Sequence, residues 1–431
     1  MVKHKADPYR RLIVRLSGAP IGTITRVPGE RHFFAFDESY LQDPNRLTLS
    51  LSYKSQSGGL VTAIRPYSLR LPPFFSNLLP EGHLRDYLAA RAGVKSEREF
   101  FLLAALGQDL PGAVTVHPEG LEPHESVEEY KLTTEGAAPG NMPAMRFSLA
   151  GVQLKFSAIM QAAGGLTVPA NGEGGNWIVK LPSVRFSVVP ENEFVMLELA
   201  RRVGIEVPNA ELVAMDAIEG LPDEVRMLSG KALIVQRFDR SSDDKSGKAT
   251  KPGESGRRIH MEDFAQVFGL FAADKYEKRS YANIASVLAA EVGQAAVIDF
   301  MRRLTFSIMI GNADMHLKNW SLLYPDGRQP KLAPAYDYVC TLPYLPNQQL
   351  ALGFGKSKAT DNITPEQVRR FAETAKLSTP VLWQTVIATI EETRLAWQDH
   401  SVRDLLPRNI MEIIQTHMET VARNVALSCP R

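Results

Sequence analysis

The chain has 431 residues, 44% hydrophobic and 23% charged, with 49 lysines and arginines against 48 aspartates and glutamates. That length exceeds one ordinary core and predicts two or three domains, while the composition excludes a disordered or membrane-embedded chain. The balanced charge excludes whole-molecule steering toward nucleic acid or lipid, so any such contact must come from a local patch.

The first eight residues, Met1 to Pro8, lack the apolar core of a signal peptide. Residues 11 to about 60 read as β-rich. Leu12 to Leu16 and Ile21 to Ile24 flank a Ser17-Gly18-Ala19-Pro20 turn, and Leu47, Leu49 and Leu51 alternate with Thr48 and Ser50 at the strand period. Helices follow: Leu84, Tyr87 and Leu88 share a face, and Ser96 with Glu99 makes a capping box ahead of Phe100 to Leu106. These elements predict a small α+β domain over residues 1–115. Residues 116–145 are acidic and poor in large apolar groups, and read as a linker.

A β-rich part spans residues 146–240. Val152 to Ile159 alternates apolar with polar residues, as a half-buried antiparallel strand does, and Trp177 to Leu181 returns as strand with Lys180 on it. Met196, Leu199, Ala200 and Val203 form one face of a helix from about Glu191 to Arg202, stopped by Gly204. Lys231 to Phe238 reads as a buried strand and Asp239 to Arg258 as a long polar loop. Residues 241–431 are mostly helical. Val297, Met301, Leu304 and Ile308 make an apolar stripe, and Thr364-Pro365 and Thr379-Pro380 are helix starts. The most apolar run, Ala295 to Ile310, carries Asp299, Arg302 and Arg303, which a lipid-facing span tolerates only at high cost. Cys340 and Cys429 form no Cys-x-x-Cys pair, which excludes a cysteine zinc cage. The expectation is a cytoplasmic protein with no membrane contact.

The stripe leads into Gly311-Asn312-Ala313-Asp314-Met315-His316-Leu317-Lys318-Asn319-Trp320, with Ala335-Tyr336-Asp337-Tyr338 after a short strand. An aspartate, an asparagine five positions on and a later aspartate is the order in which protein kinases supply a base and two magnesium ligands. Phosphoryl transfer also needs a loop over the phosphates and a fixed cation. Ser148-Leu149-Ala150-Gly151-Val152-Gln153-Leu154-Lys155 offers small residues whose backbone N–H groups can approach phosphate oxygens. Lys180 can aim its ammonium at them, paired with Glu193 on the next helix. Gln236-Arg237-Phe238 can offer backbone groups to an adenine edge, and Asp314 can accept or orient a hydroxyl proton. Asn319 and Asp337 are the hard oxygen ligands that Mg2+ prefers. Taken singly, the loop also reads as an ordinary turn, Lys180 as a snorkelling strand lysine and His316 as a structural histidine; the shared order gives them weight. Gly355-Lys356-Ser357 resembles the end of a Walker A loop, but Leu350 stands where its first glycine belongs. No zinc-protease, α/β-hydrolase or Rossmann string occurs.

These residues resemble the HipA serine/threonine kinases, the toxins of HipBA toxin–antitoxin pairs, over nearly the whole chain. Asn77-Leu78-Leu79-Pro80 and Gly107 to Val114 look like marks of that family's N-terminal domain. Phe147 to Lys155, Ile178 to Pro182, Arg237 to Arg240, Asp314 to Asn319 and Tyr336-Asp337 look like its kinase motifs. The resemblance implies an α+β, bilobal protein-kinase-like core, a small N-terminal α+β domain and a mostly helical C-terminal lobe. It implies ATP and Mg2+ as cofactors, Asp314 as catalytic base, and nucleotide contacts from Ala150, Gly151, Val152, Gln153, Leu154, Lys155, Lys180, Gln236, Arg237, Phe238, His316, Leu317, Lys318, Asn319, Tyr336 and Asp337. It further implies silencing by autophosphorylation at Ser148, a protein target such as glutamyl-tRNA synthetase, and a HipB-like helix-turn-helix antitoxin dimer through which operator DNA is bound. Lys356 and Lys358 fall near where a family member touches that DNA. Gln236 stands where a glutamate is expected, and the Asp239 to Arg258 loop is longer than its counterpart. A small-molecule or lipid kinase of related fold, and a DNA-bound corepressor with a vestigial kinase core, are the alternative readings.

Overall fold

The computed structural model describes residues 9–120, 155–160, 166–167, 175–221, 225, 227–241, 256–345 and 347–428. Leu12, Val14 and Leu16 are fully buried while the residues between them are not, and that alternation makes β1 (Arg11–Leu16) a core strand of an antiparallel sheet. It turns into β2 (Ala19–Val27) through Ser17 and Gly18, both at positive φ, the left-handed pair that a tight two-residue hairpin requires. With β3 (Arg31–Phe36), β4 (Tyr67–Ser68) and β5 (Val114–Pro118) the order is β4-β3-β2-β1-β5. β5 thus runs three residues past position 115, because its pairing with β1 continues to Pro118. Phe34, Phe75 and Phe100 fill the space beneath this sheet.

Two local expectations for this region are corrected. Leu47 to Leu51 alternates in sequence but joins no sheet and buries the adjacent Leu49 and Ser50; it lies across the helical lobe, where Thr48 N–H donates to Gly327 O at 2.8 Å and Leu51 N–H to Glu262 at 3.0 Å. The helix Glu99–Leu106 has Arg98, not Ser96, at its cap position, because the Glu99 carboxylate is buried and accepts from Leu71 N–H and Ser76 Oγ instead of closing a capping box.

A second sheet has β6 (Lys155–Met160), β7 (Leu166–Thr167), β8 (Trp177–Lys180), β9 (Ala210–Ala214), β10 (Ile218–Glu219) and β11 (Lys231–Gln236), in the order β10-β7-β6-β8-β11-β9. β11 is apolar on both faces for a structural reason. Ala232 and Ile234 join a small core with Ala158, Val179 and Leu221, whereas Leu233 and Val235 join the large core of the helical lobe. β11 stops at Gln236, short of the expected Phe238, since the chain there turns into a buried ion-pair cluster.

The helical lobe carries a third small antiparallel sheet, β12 (His260–Asp263), β13 (Ser321–Tyr324) and β14 (Lys331–Leu332). The helix Val189–Arg202 buries Met196, Leu199 and Ala200, and Gln294–Met309 buries Val297, Met301, Leu304 and Ile308. Thr364 caps Pro365–Ala375 with a complete capping box, while Ser378 rather than Thr379 precedes Thr379–Ala396. Among the described residues no helix is long and apolar enough to cross a membrane. The architecture is α+β, with a mostly helical C-terminal lobe.

Candidate active site

Gly311 ends the long apolar stripe at φ +68, and a Cβ there would meet Leu342 Cδ1 at 2.4 Å, so the chain leaves the helix sharply at a position only glycine fits. The loop that follows is tied by one side chain. Asn312 Oδ1 accepts from Asp314 N–H at 3.1 Å, and Asn312 Nδ2 donates to the Asp337 carbonyl at 3.1 Å, so it fastens Asp314 and Asp337 to each other's backbone. Asn319 closes the loop from the other end by donating Nδ2 to the Asp314 carbonyl at 2.8 Å. That bond commits its nitrogen and leaves Oδ1 as the free atom, with no partner among the described residues. Asp337 sits at φ +56, a left-handed conformation costly for aspartate and held by its surroundings.

The sheet brings two lysines to this point. Lys155 of β6 and Lys180 of β8 are direct cross-strand partners and so share a face. Lys180 Nζ is buried and hydrogen-bonded to both Glu193 and Asp337, and Lys155 Nζ lies 3.2 Å from Asp337 Oδ2. Burial opposes the Lys180 charge, but the Asp337 and Glu193 carboxylates outweigh it and keep the ammonium protonated. Burial would likewise raise Asp337, and the Lys155 and Lys180 ammoniums instead hold it ionised, far below the usual carboxylate range.

Asp314 opens to solvent within a recess whose walls still desolvate it, lifting its carboxyl above the ordinary value. Tyr276 OH donates to its Oδ1 at 2.9 Å; burial and the nearby Asp314 charge keep that phenol protonated. His316 lies edge-on to Tyr276, with centroids 5.1 Å apart, and is pushed down to about 3 by burial and by Lys275, so it is neutral. Its Nδ1 is buried without a partner among the described residues.

The remaining expected nucleotide residues divide into those at the lobe junction and those turned away from it. Phe238 packs on Tyr336, ring centroids 5.5 Å apart, and Tyr336 OH donates to the Lys318 carbonyl at 2.8 Å. Gln236 N–H is taken by the Asn209 carbonyl and Arg237 N–H by the Asn176 carbonyl, both at 2.8 Å. The Arg237 side chain is locked: it and Arg240 share Asp239 and Asp109, the last reaching in from the N-terminal region. Leu317 is fully buried in the apolar core. Lys318 Nζ bonds Glu81 at 2.9 Å and the Asn77 carbonyl at 3.1 Å, so only its main chain faces Tyr336. Lys356 and Lys358 lie elsewhere, lining a groove with His417 and Thr420 of the helix Arg408–Ser428. Ser148, Ala150, Gly151, Val152, Gln153 and Leu154 lie outside the described residues.

Among the described residues no three His, Cys, Asp or Glu side chains cluster as a metal cage. Asn319 Oδ1 and the Asp337 carboxylate nevertheless form a hard oxygen pair of the kind that binds Mg2+ together with phosphate oxygens and water. Sequence reasoning missed Asn312, Tyr276, Glu81 and Asp109. Asn312 and Asp109 lay unassigned inside quoted motifs and Glu81 directly follows one, whereas Tyr276 carries no local sequence signal.

Two family matches cover most of the chain: a HipA N-terminal domain over residues 12–117 and a HipA-like C-terminal domain over residues 147–401. Among curated proteins, Y4dM of Sinorhizobium fredii, named as a kinase, is 48% identical over 413 residues, 95% of this chain and 97% of that one. The serine/threonine-protein kinase toxin HipA of Shewanella oneidensis is 30% identical over 337 residues, 71% of each chain. Among solved structures, a chain of the Shewanella oneidensis complex of HipA, HipB and operator DNA matches with a TM-score of 0.70 at 24% identity, over 96% of both chains, a likeness of fold.

Proposed function

The chain belongs to the HipA family, and from that premise we propose that it is an ATP- and Mg2+-dependent protein serine/threonine kinase acting as the toxin of a toxin–antitoxin pair. The observation that carries this reading is the Lys180 ammonium held between the Glu193 and Asp337 carboxylates, one backbone tie away from Asp314. In a kinase this set has a division of labour. Lys180, with Lys155 beside it, takes phosphate oxygens. Phe238 N–H, without a partner among the described residues, is a main-chain donor for an adenine edge, where the locked Arg237 side chain cannot serve. Asn319 Oδ1 and Asp337 would hold Mg2+, which when bound neutralises charge on the transferring phosphoryl group.

Asp314 receives the acceptor. The serine or threonine oxygen bonds to the γ-phosphorus as the bond from that phosphorus to the β–γ bridging oxygen breaks, ADP leaves with the electron pair, and the hydroxyl proton passes to Asp314. The raised Asp314 carboxyl suits that proton transfer better than an ordinary carboxylate would. Further parts of the proposal follow the family: autophosphorylation at Ser148 as an off switch, a translation target such as glutamyl-tRNA synthetase, and a HipB-like antitoxin dimer with operator DNA as partners.

The test is incubation of the purified chain with [γ-32P]ATP, Mg2+ and cell extract, followed by phosphosite mapping. Label on Ser148 or on an extract protein, absent for Asp314→Asn, is expected. Label that persists in Asp314→Asn, or no protein label at all, would refute the kinase reading. Growth inhibition that survives Asp337→Ala would favour a vestigial core instead.

A further inference from the structure

A base on an exposed loop needs its carboxylate fixed, and the fixing group lies 38 residues away in sequence. Tyr276 OH meets Asp314 Oδ1 at 2.9 Å. Oδ2 has no partner among the described residues and Asp314 is exposed, so one carboxylate oxygen is anchored and the other is left open. The anchor is itself braced. Its ring packs edge-on against His316, whose N–H donates to the Asp314 carbonyl at 2.8 Å, and the Lys275 ammonium lies 5.5 Å from the ring centroid. Lys275 is held at both ends, its carbonyl by Leu317 N–H at 3.3 Å and its ammonium by Glu81 at 3.0 Å. Glu81 binds Lys318 of the same catalytic loop, so the Tyr276 segment and the Asp314 loop are fastened to one carboxylate from the N-terminal region.

We propose that Tyr276 is a positioning residue for phosphoryl transfer, holding Asp314 Oδ1 so that Oδ2 is presented to the acceptor hydroxyl; the assignment rests on the kinase reading above. A carboxylate fixed at one oxygen keeps its second oxygen in a single place, whereas an untethered one samples rotamers of which few are productive. The Tyr276 hydroxyl touches neither of the proposed metal oxygens nor the two lysines at Asp337, so its loss, with the ring kept against His316, leaves nucleotide binding intact. The opposite reading of the same contact is a plug, in which the phenol occupies the acceptor's place and must swing away.

The experiment uses the full chain, with phosphate incorporation from [γ-32P]ATP as readout. Tyr276→Phe keeps the ring and its packing but loses the hydroxyl. It should lower the transfer rate about tenfold, the worth of one charge-assisted hydrogen bond, with KM for ATP and the melting temperature nearly unchanged. A faster Tyr276→Phe enzyme would make the tyrosine a plug, an unchanged rate would make it a bystander, and a raised KM with lowered melting would make it merely structural; each overturns the assignment. Transfer that survives Asp314→Asn would remove the kinase reading itself and is seen separately.

Discussion

Glu262 should be a measurable pH-dependent liability at the junction between the N-terminal region and the helical lobe. It is fully buried and accepts from Ser50 Oγ, Leu51 N–H and Tyr324 OH, with no cation paired to it among the described residues. Burial is the dominant influence and lifts its carboxyl from 4.5 to about 7 despite those three donors. The folded carboxyl therefore holds its proton where the unfolded one has lost it. Its stabilising contribution is present below about pH 4.5 and is lost as pH rises through about 7. That shift corresponds to about 3 kcal/mol at full ionisation. Glu262→Gln removes the titration and keeps the bonds: its carbonyl oxygen can accept from Leu51 and Tyr324, and its amide can donate to Ser50 Oγ, whose proton turns to Ser52 Oγ at 2.7 Å. The variant should be more stable than the parent by about 3 kcal/mol near pH 8, an advantage shrinking to about 1 kcal/mol near pH 5. Denaturant unfolding of both proteins across that range measures it. Neighbouring His260, pushed down to about 4 by burial, contributes equally to both proteins and cancels. An advantage independent of pH, or a variant less stable at about pH 8, would refute the reasoning.

Lys180→Met should lower stability by about 3 kcal/mol, because it takes the cation from the buried Glu193 carboxylate and leaves Asp337 with Lys155 alone, and should abolish phosphate incorporation; a melting curve and the [γ-32P]ATP assay read the two effects separately. Asp239→Asn should cost about 2 kcal/mol at neutral pH, since burial would raise this carboxyl but Arg237 and Arg240 hold it at about 2 against an ordinary 3.8. That contribution is present above about pH 4 and disappears as pH falls through about 2, so parent and variant should converge in acid-unfolding curves. Curves that stay parallel would show that the arginines do not depend on the Asp239 charge.

How much of this was legible in the sequence depends on the range of the forces involved. β1, the helix Val189–Arg202 and the stripe from Val297 to Ile308 follow from apolar period alone, because burial of one face is a local pattern. Lys180 was legible as a strand lysine and Glu193 as its partner one helix later, but nothing local revealed that Lys155 would stand beside Lys180, which depends on β6–β8 register. Leu47 to Leu51 misled for the complementary reason: alternation does not report what covers each side chain, and here Leu47 and Leu49 join the N-terminal core while Leu51 packs on that of the helical lobe. Glu99 misled because a capping glutamate and a buried hydrogen-bond acceptor look alike until the third dimension supplies Leu71 and Ser76. Tyr276 was invisible, since a phenol 38 residues from its acceptor leaves no periodic trace.

The polar contacts that escaped sequence reading share a direction, and that direction bears on what the N-terminal region is for. Asp109 enters the Arg237–Asp239–Arg240 cluster at the end of β11; Ser50 and Leu51 bind Glu262 on β12; Asn77 and Glu81 seize Lys318, and Glu81 also Lys275. The tethers reach the end of β11, the small sheet of the helical lobe and the loop bearing Asp314. An appended domain that merely recruited a partner would gain nothing from ion pairs to the loop that bears Asp314. Glu81 makes the point most sharply: burial alone would raise its carboxyl, yet Lys318 and Lys275 hold it at about 2, so it stays charged at any physiological pH and the two loops remain fastened together. The N-terminal region thus meets the helical lobe through Ser50, Leu51, Asn77 and Glu81 and the end of β11 through Asp109, and Glu81 ties it by bonded groups to the loop that carries Asp314.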